Sequence, residues 1–154
     1  PWGTVIVFAV GISLGTVLLD TRGAQWLSNK IFGSLGLETM PLIATIALVA
    51  LFNILIHLGF ASATSLSSAL IPIFIALTST IHLGDNRIGF VLIQQFVISI
   101  GFLLPVNSPQ AMLAYGTGAF TAKDFLKSGL PLTIIGYLLV LLFSMTYWKW
   151  VGLL

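Results

Sequence analysis

The sequence predicts an all-α polytopic membrane protein, in which transmembrane helices are joined to a re-entrant helical hairpin and a proline-broken helix. Three observations carry this expectation. Charged residues make up 6% of the chain and hydrophobic residues 58%, whereas soluble domains carry about 25% charged residues. Long uncharged runs reach or exceed the ~20 residues that cross a bilayer. Inside two of them lie polar patches marked by proline and glycine, His57 to Pro72 (HLGFASATSLSSALIP) and Phe102 to Thr121 (FLLPVNSPQAMLAYGTGAFT). Hydrocarbon offers no hydrogen bonds, so non-helical backbone at that depth persists only where protein, water or ligand meets it. Two such interruptions in one chain point to a solute or ion site between broken helices.

Composition also narrows the function classes. The six Lys or Arg side chains are scattered, so no cluster is available to neutralise successive phosphates, and nucleic acid is not an expected partner. With no cysteine there is no disulfide, no thiolate metal site and no thiol nucleophile. Neither His57 nor His82 has an acid or a second histidine one helical turn away, and no metal site is expected at either. Each is read as a solvated residue near a membrane boundary. The chain opens on Pro1-Trp2, without an initiator Met or a basic segment before an apolar core, and is expected to be the C-terminal part of something longer.

Residues 1–19 are uncharged and form the first predicted transmembrane helix, with Gly3, Gly11 and Gly15 offering a surface for close helix packing. Over 20–38 the character changes: Asp20, Arg22, Lys30 and Glu38 are interleaved with Trp26, Leu27, Ile31, Phe32 and Leu35. This is the pattern of an amphipathic connector lying on the interface. Thr39 to Gly84 carries no Asp, Glu, Lys or Arg, about twice what one crossing needs. A transmembrane helix over 41–56 followed by a re-entrant hairpin over 58–80, with short arms around Phe60 to Ser68, accounts for both the length and the polar middle.

Residues 88–122 are again uncharged and too long for one straight helix. Pro105 and Pro109 each lack an N–H and disfavour helix in the residue before them, which predicts an unwound stretch over Val106 to Gln110. After a polar turn at Lys123, Asp124 and Lys127, residues 128–150 form a last span ending in the interfacial Tyr147, Trp148, Lys149 and Trp150. On this path Arg22, Lys30, Lys123 and Lys127 share one side of the membrane and Arg87 and Lys149 the other, which places the first group in the cytoplasm.

Half-helix N-termini attract anions, while C-terminal and unwound carbonyls attract cations. Hydroxyls serve both, having a donor and lone pairs. Ser62, Thr64, Asn107 and Ser108 with nearby backbone can therefore coordinate sodium and hold a carboxylate without a buried full charge, which on its own would cost at least ~2.5 kcal/mol at the bilayer centre.

The same residues resemble the C-terminal repeat of the divalent anion/sodium symporter family, the sodium-coupled di- and tricarboxylate or sulfate carriers. Pro1-Trp2-Gly3-Thr4-Val5-Ile6-Val7-Phe8 is similar to its PWG-apolar helix. Phe60-Ala61-Ser62-Ala63-Thr64 is similar to its F-x-S-N-T hairpin tip. Leu104-Pro105-Val106-Asn107-Ser108-Pro109 through Ala114-Tyr115-Gly116-Thr117-Gly118 is similar to its LPVATPPNAIAYGTG loop. The resemblance implies a substrate site at Ser62, Ala63, Thr64 and Asn107, and a sodium site at Ala61, Ser62, Thr64, Asn107, Ser108 and Pro109. Ala63 stands where the family has Asn, and Asn107 where alanine is common.

The expected function is thus sodium-coupled secondary transport of a small carboxylate, a dicarboxylate or tricarboxylate such as succinate or citrate, or of a related divalent anion. No cofactor is called for beyond the sodium ion, and no catalysis. The implied partners are the anion, sodium, the lipid bilayer, the N-terminal half of the same inverted-repeat transporter and a second copy in a homodimer. The implied location is a bacterial or archaeal plasma membrane. A proton-coupled or exchange-type carrier keeps the same architecture. An intramembrane hydrolase would need a nucleophile and base, and His57, His82 and Asp85 are poorly placed for that. A structural or channel-forming subunit would leave the Pro105 to Gln110 break without a ligand.

Overall fold

The computed structural model describes residues 20–60, 62–81 and 83–154, with positions 9, 13 and 17. The predicted span over 1–19, apart from those positions, lies outside the described residues, as do Ala61 and His82. Among the described residues there is no strand.

Helix α1, Gly23–Phe32, occupies part of the predicted connector. Phe32 is buried while Trp26 and Lys30 face outward, as its alternating character requires. Two short 3₁₀ turns, Gly33–Leu35 and Leu37–Thr39, lead to Pro41. Proline is suited to a helix start because the missing N–H has no helical partner there, and α2, Leu42–His57, begins immediately after it. Its buried positions are Thr45, Ile46, Val49, Ala50, Asn53, Ile54 and His57, a stripe stepping by three and four. Leu51 and Leu55 on the opposite face are exposed. A helix apolar on both sides needs a second apolar neighbour or lipid.

Beyond α2 the chain turns at 58–59 and, from Ser62, enters α3, Ala63–Thr80. This corrects the expectation of two short arms within 58–80. Pro72 withholds one hydrogen bond from the Ser68 carbonyl, but Leu66, Leu70, Ile73, Phe74 and Leu77 form a continuous buried stripe across it, and packing on both sides of the proline keeps one helix. A 3₁₀ turn at Gly84–Asn86 opens α4, Arg87–Ile98. This helix is the centre of the fold: α2, α3 and, more lightly, α6 pack on it, and α1 packs on α3. Ser67 Oγ donates to Gln95 Oε1 at 2.7 Å, tying α3 to α4.

The predicted break begins earlier than the prolines suggested. Helix α4 stops at Ile98, the chain is irregular through Leu104, Pro105–Asn107 form a 3₁₀ turn, and α5 runs Pro109–Gly116. Gln110, expected to be unwound, is helical, because Pro109 takes the first helical position and Ser108 caps it, its Oγ accepting from the Ala111 N–H at 3.2 Å. Gly118, at φ +73, makes the left-handed turn towards α6, Ala122–Met145. That helix starts well before the expected residue 128, since Thr121 and Asp124 cap it reciprocally: Thr121 Oγ1 accepts from the Asp124 N–H, and the Thr121 N–H donates to Asp124 Oδ2. Lys123 and Lys127 therefore lie in its first turns. With α7, Tyr147–Trp150, it forms the one segment among the described residues long and apolar enough to cross a membrane, Ala122–Trp150. The 16 residues of α2 reach only about 24 Å at ~1.5 Å each, short of a ~30 Å core.

Two close approaches lock the elements. Tyr137 Oη donates to the Ala47 carbonyl at 2.8 Å, joining α6 to α2. Tyr137→Phe should lower the unfolding free energy by about 1 kcal/mol, the loss of one such bond, measurable as a shift in thermal unfolding in detergent. Gly89 of α4 lies so near the Leu153 carbonyl that an added Cβ would sit 1.7 Å from its oxygen, so the C-terminal turn packs backbone to backbone on the central helix.

Candidate functional site

The site is built where α2 ends. Helix α2 closes in turn-type bonds, Gly59 N–H to the Ile56 carbonyl at 3.0 Å and Phe60 N–H to the His57 carbonyl at 3.1 Å. The backbone then extends at Ser62, φ −156 and ψ 127, and becomes helical at Ala63. The C-terminal carbonyls of α2 and the N-terminal amides of α3 thus flank one five-residue connection, bringing cation-attracting and anion-attracting helix ends together. Ser62 and Ala63 are half-buried and Thr64 is exposed. Ser62 makes no side-chain capping bond to α3.

The break joins this turn through Asn107. Its side chain is 2% exposed, with Nδ2 donating to the His57 carbonyl at 2.6 Å and the Phe60 carbonyl at 2.9 Å. Its Oδ1 accepts from the Leu104 N–H at 3.0 Å. Both amide hydrogens are engaged, so in this arrangement none is left for a substrate. Ser108 is half-buried and caps α5, and Pro109 is the exposed first residue of that helix. The expected site residues therefore divide. Ser62, Ala63 and Thr64 stand at the start of α3. Ser108 and Pro109 stand at the start of α5. Asn107 bridges the two segments, and Ala61 lies outside the described residues.

The profile described as the sodium:sulfate symporter transmembrane region matches residues 1–154. The chain belongs to this family. It is a family of symporters, membrane proteins that move a substrate and do not convert it, with no cofactor required beyond the coupling sodium. A membrane protein of Cupriavidus necator is 49% identical to this chain over 152 residues, 99% of the chain and 30% of that protein. Solute carrier family 13 member 4 of Homo sapiens is 27% identical over 92% of the chain and 22% of its own length. The Na(+)/dicarboxylate cotransporter 3 of Rattus norvegicus is 24% identical over 96% of the chain and 24% of its own length. The chain thus spans less than a third of these relatives. No solved structure matches it.

Two features of the site go beyond the sequence expectations. His57, expected in a solvated boundary position, is 2% exposed. Its ring lies against the front of the break: a Cβ at Gly101 would come within 2.7 Å of His57 Cε1. The last residue of α2 therefore meets both ends of the break, Gly101 through its ring and Asn107 through its carbonyl. Beneath it, Asn53 Nδ2 donates to the Gln94 carbonyl at 3.0 Å and Gln94 Nε2 to the Ile46 carbonyl at 3.4 Å. Asn53 Oδ1, Gln94 Oε1 and both His57 ring nitrogens are buried without a hydrogen-bond partner among the described residues. Asn53 and His57 fall on the apolar stripe of α2, one turn apart. Polar residues on that stripe were the available signal, because ionisable and amide groups inside membrane helices mark function more often than packing.

The second unforeseen feature is the face of α6. Gly129 and Gly136 lie two turns apart on it, where Cβ atoms would meet the Phe102 carbonyl oxygen at 1.7 Å and Ile100 Cδ1 at 3.2 Å. Small residues here let the irregular segment of the break rest on α6. By contrast, the buried hydroxyls of α6 bond within their own helix, Thr133 to the Gly129 carbonyl at 2.8 Å and Ser144 to the Val140 carbonyl at 2.7 Å, and are structural.

Proposed function

We propose that the full-length protein is a sodium-coupled secondary transporter of small di- or tricarboxylates, such as succinate or citrate, or of related divalent anions, and that this chain is its C-terminal inverted repeat. One observation carries the reading: Asn107 ties the break to the turn that precedes Ser62, so two helix N-termini, α2's C-terminal carbonyls and three hydroxyl side chains belong to one junction. Ser62 and Thr64, with the unpaired amides of the first turn of α3, receive the substrate carboxylate, as a helix N-terminus favours. Sodium is held by oxygens of the turn and the break, including Ser62, Thr64, Ser108 and the backbone around Ala61 and Pro109. The turn is then the tip of a re-entrant hairpin whose arms are α2 and α3. An N-terminal half supplies the inverted counterpart of this junction, and a homodimer provides the scaffold against which hairpin and break move to expose the site alternately to the two sides.

The mechanism forms no covalent bond. Electrostatics links the two ligands: a cation among carbonyl and hydroxyl oxygens raises the affinity for a carboxylate beside it in a medium of low dielectric, and the reverse follows from reciprocity.

The test is uptake by the full-length protein in liposomes. Labelled succinate or citrate should accumulate only under an inward sodium gradient, and Thr64→Ala, an exposed change that leaves the packing alone, should reduce sodium-driven uptake about tenfold, as the loss of one charge-assisted contact implies. Uptake that follows a pH gradient and ignores sodium would replace this reading with proton-coupled or exchange-type transport.

A further inference from the structure

We infer that Asn107 is a positioning residue, a built-in clasp that keeps the turn after α2 docked on the break whether or not a cation is bound. The inference rests on the transport reading for its functional consequence and on geometry for its substance. A helix C-terminus leaves carbonyls without helical partners, and two carbonyls of one turn turned into a dry interior need a positive partner to satisfy their remaining lone pairs. A bound cation is one such partner. In this chain a single amide nitrogen meets the need, reaching the His57 carbonyl at 2.6 Å and the Phe60 carbonyl at 2.9 Å with its two hydrogens.

The same side chain is anchored to its own loop, because Oδ1 accepts from the Leu104 N–H at 3.0 Å. Pro105 and Asn107 are both buried and shape the 3₁₀ turn between those anchors. The clasp therefore grips the hairpin side by two backbone oxygens and the break by one backbone N–H, independently of which side chains occupy 57, 60 and 104. The contact of the His57 ring with Gly101 closes the other end of the break on the same residue, so the turn and the break are held at two points and should move as one body.

The consequence concerns affinity more than rate. When the docked junction is the form that binds, any fall in its population raises the apparent half-saturating concentrations of both ligands by the same factor, while saturating ligand restores the docked form and the maximal rate. A residue needed only for folding would instead reduce the amount of active protein and leave half-saturation where it was.

Two measurements on the full-length protein test this. The first, in nanodiscs, is hydrogen exchange at 57–62 and 102–108, compared in sodium-free choline buffer and in sodium. The clasp predicts protection in the parent that changes less than about twofold with sodium, and exchange roughly tenfold faster at both segments in Asn107→Ala, which loses all three side-chain hydrogen bonds, with 123–145 unaffected. Protection that appears in the parent only when sodium is added overturns the proposal, and this arm needs no variant to fold. The second is sodium-driven uptake. In Asn107→Ala the half-saturating sodium and anion concentrations should each rise about tenfold, with maximal uptake within about twofold of the parent. Asn107→Asp, which keeps the shape but sets a carboxylate against two carbonyl oxygens, should shift them further. Half-saturation unchanged in both variants overturns the clasp. A parent that is protected without sodium yet moves no anion would leave the clasp standing and remove the transport reading instead.

Discussion

Gly129→Ala is expected to abolish transport and to lower the unfolding free energy by about 3 kcal/mol, the upper end of what overpacking costs. The added Cβ would lie 1.7 Å from the Phe102 carbonyl oxygen and 2.7 Å from its carbonyl carbon. Both are backbone atoms, so no side-chain rotation relieves the overlap. Helix α6 and the break must separate, and with them the loop that carries Pro105 and Asn107. The measurement is thermal unfolding in detergent beside uptake in liposomes. Gly116→Ala is the control: its Cβ meets nothing within 4 Å, and at the end of α5 it should be neutral or stabilising by up to about 1 kcal/mol on helix propensity. Equal behaviour of the two variants would mean that α6 does not support the break.

The second large effect is expected at Gly101. A Cβ there would come within 2.7 Å of His57 Cε1 and 3.1 Å of Nε2, and His57 is fully enclosed, so its ring has little room to retreat. Gly101→Ala should cost about 2 kcal/mol and weaken uptake by opening the front of the break. The partner here is a side chain, which allows a rescue that Gly129 does not. His57→Ala removes the ring but keeps the backbone carbonyl that Asn107 binds, so in that background Gly101→Ala should cost under about 0.5 kcal/mol. The difference is the coupling energy of a contacting pair. Equal losses in both backgrounds would show that the ring and Gly101 act independently.

Much of this protein was legible before any coordinates. Helix starts were readable where local chemistry decides them, as at Pro41 before α2. The two polar interruptions were readable because hydroxyls, glycines and prolines inside uncharged runs conflict with lipid. Boundaries shifted where tertiary packing outweighed local preference. The polar middle of 58–80 suggested two short arms, but the buried stripe from Leu66 to Leu77 runs through Pro72 as one helix. Pro109 suggested unwinding, yet at the first position of a helix it costs nothing. Thr121 with Asp124 forms a capping box whose spacing was visible in the sequence, and α6 accordingly starts at Ala122, ahead of the expected 128.

For the site, residue types and their neighbourhoods were readable, but not which groups had already spent their hydrogen bonds. Asn107 looked like a ligand because an amide beside two prolines is unusual. Its three bonds, to His57, Phe60 and Leu104, are long-range or depend on the turn geometry. His57 looked like a boundary residue because sequence distance from the nearest charge says nothing about enclosure by a loop more than forty residues away.

The sequence by itself determined the membrane class, the family and the two places where helix gives way, because scarcity of charge and the backbone chemistry of proline and glycine are local properties. Only the tertiary structure decided that the break docks on the turn through one amide, that His57 is sealed against Gly101, and that a glycine face of α6 supports both. Those facts depend on atoms distant in the chain meeting within hydrogen-bond or contact distance, and an apolar interior makes each such meeting count because no water is present to replace it.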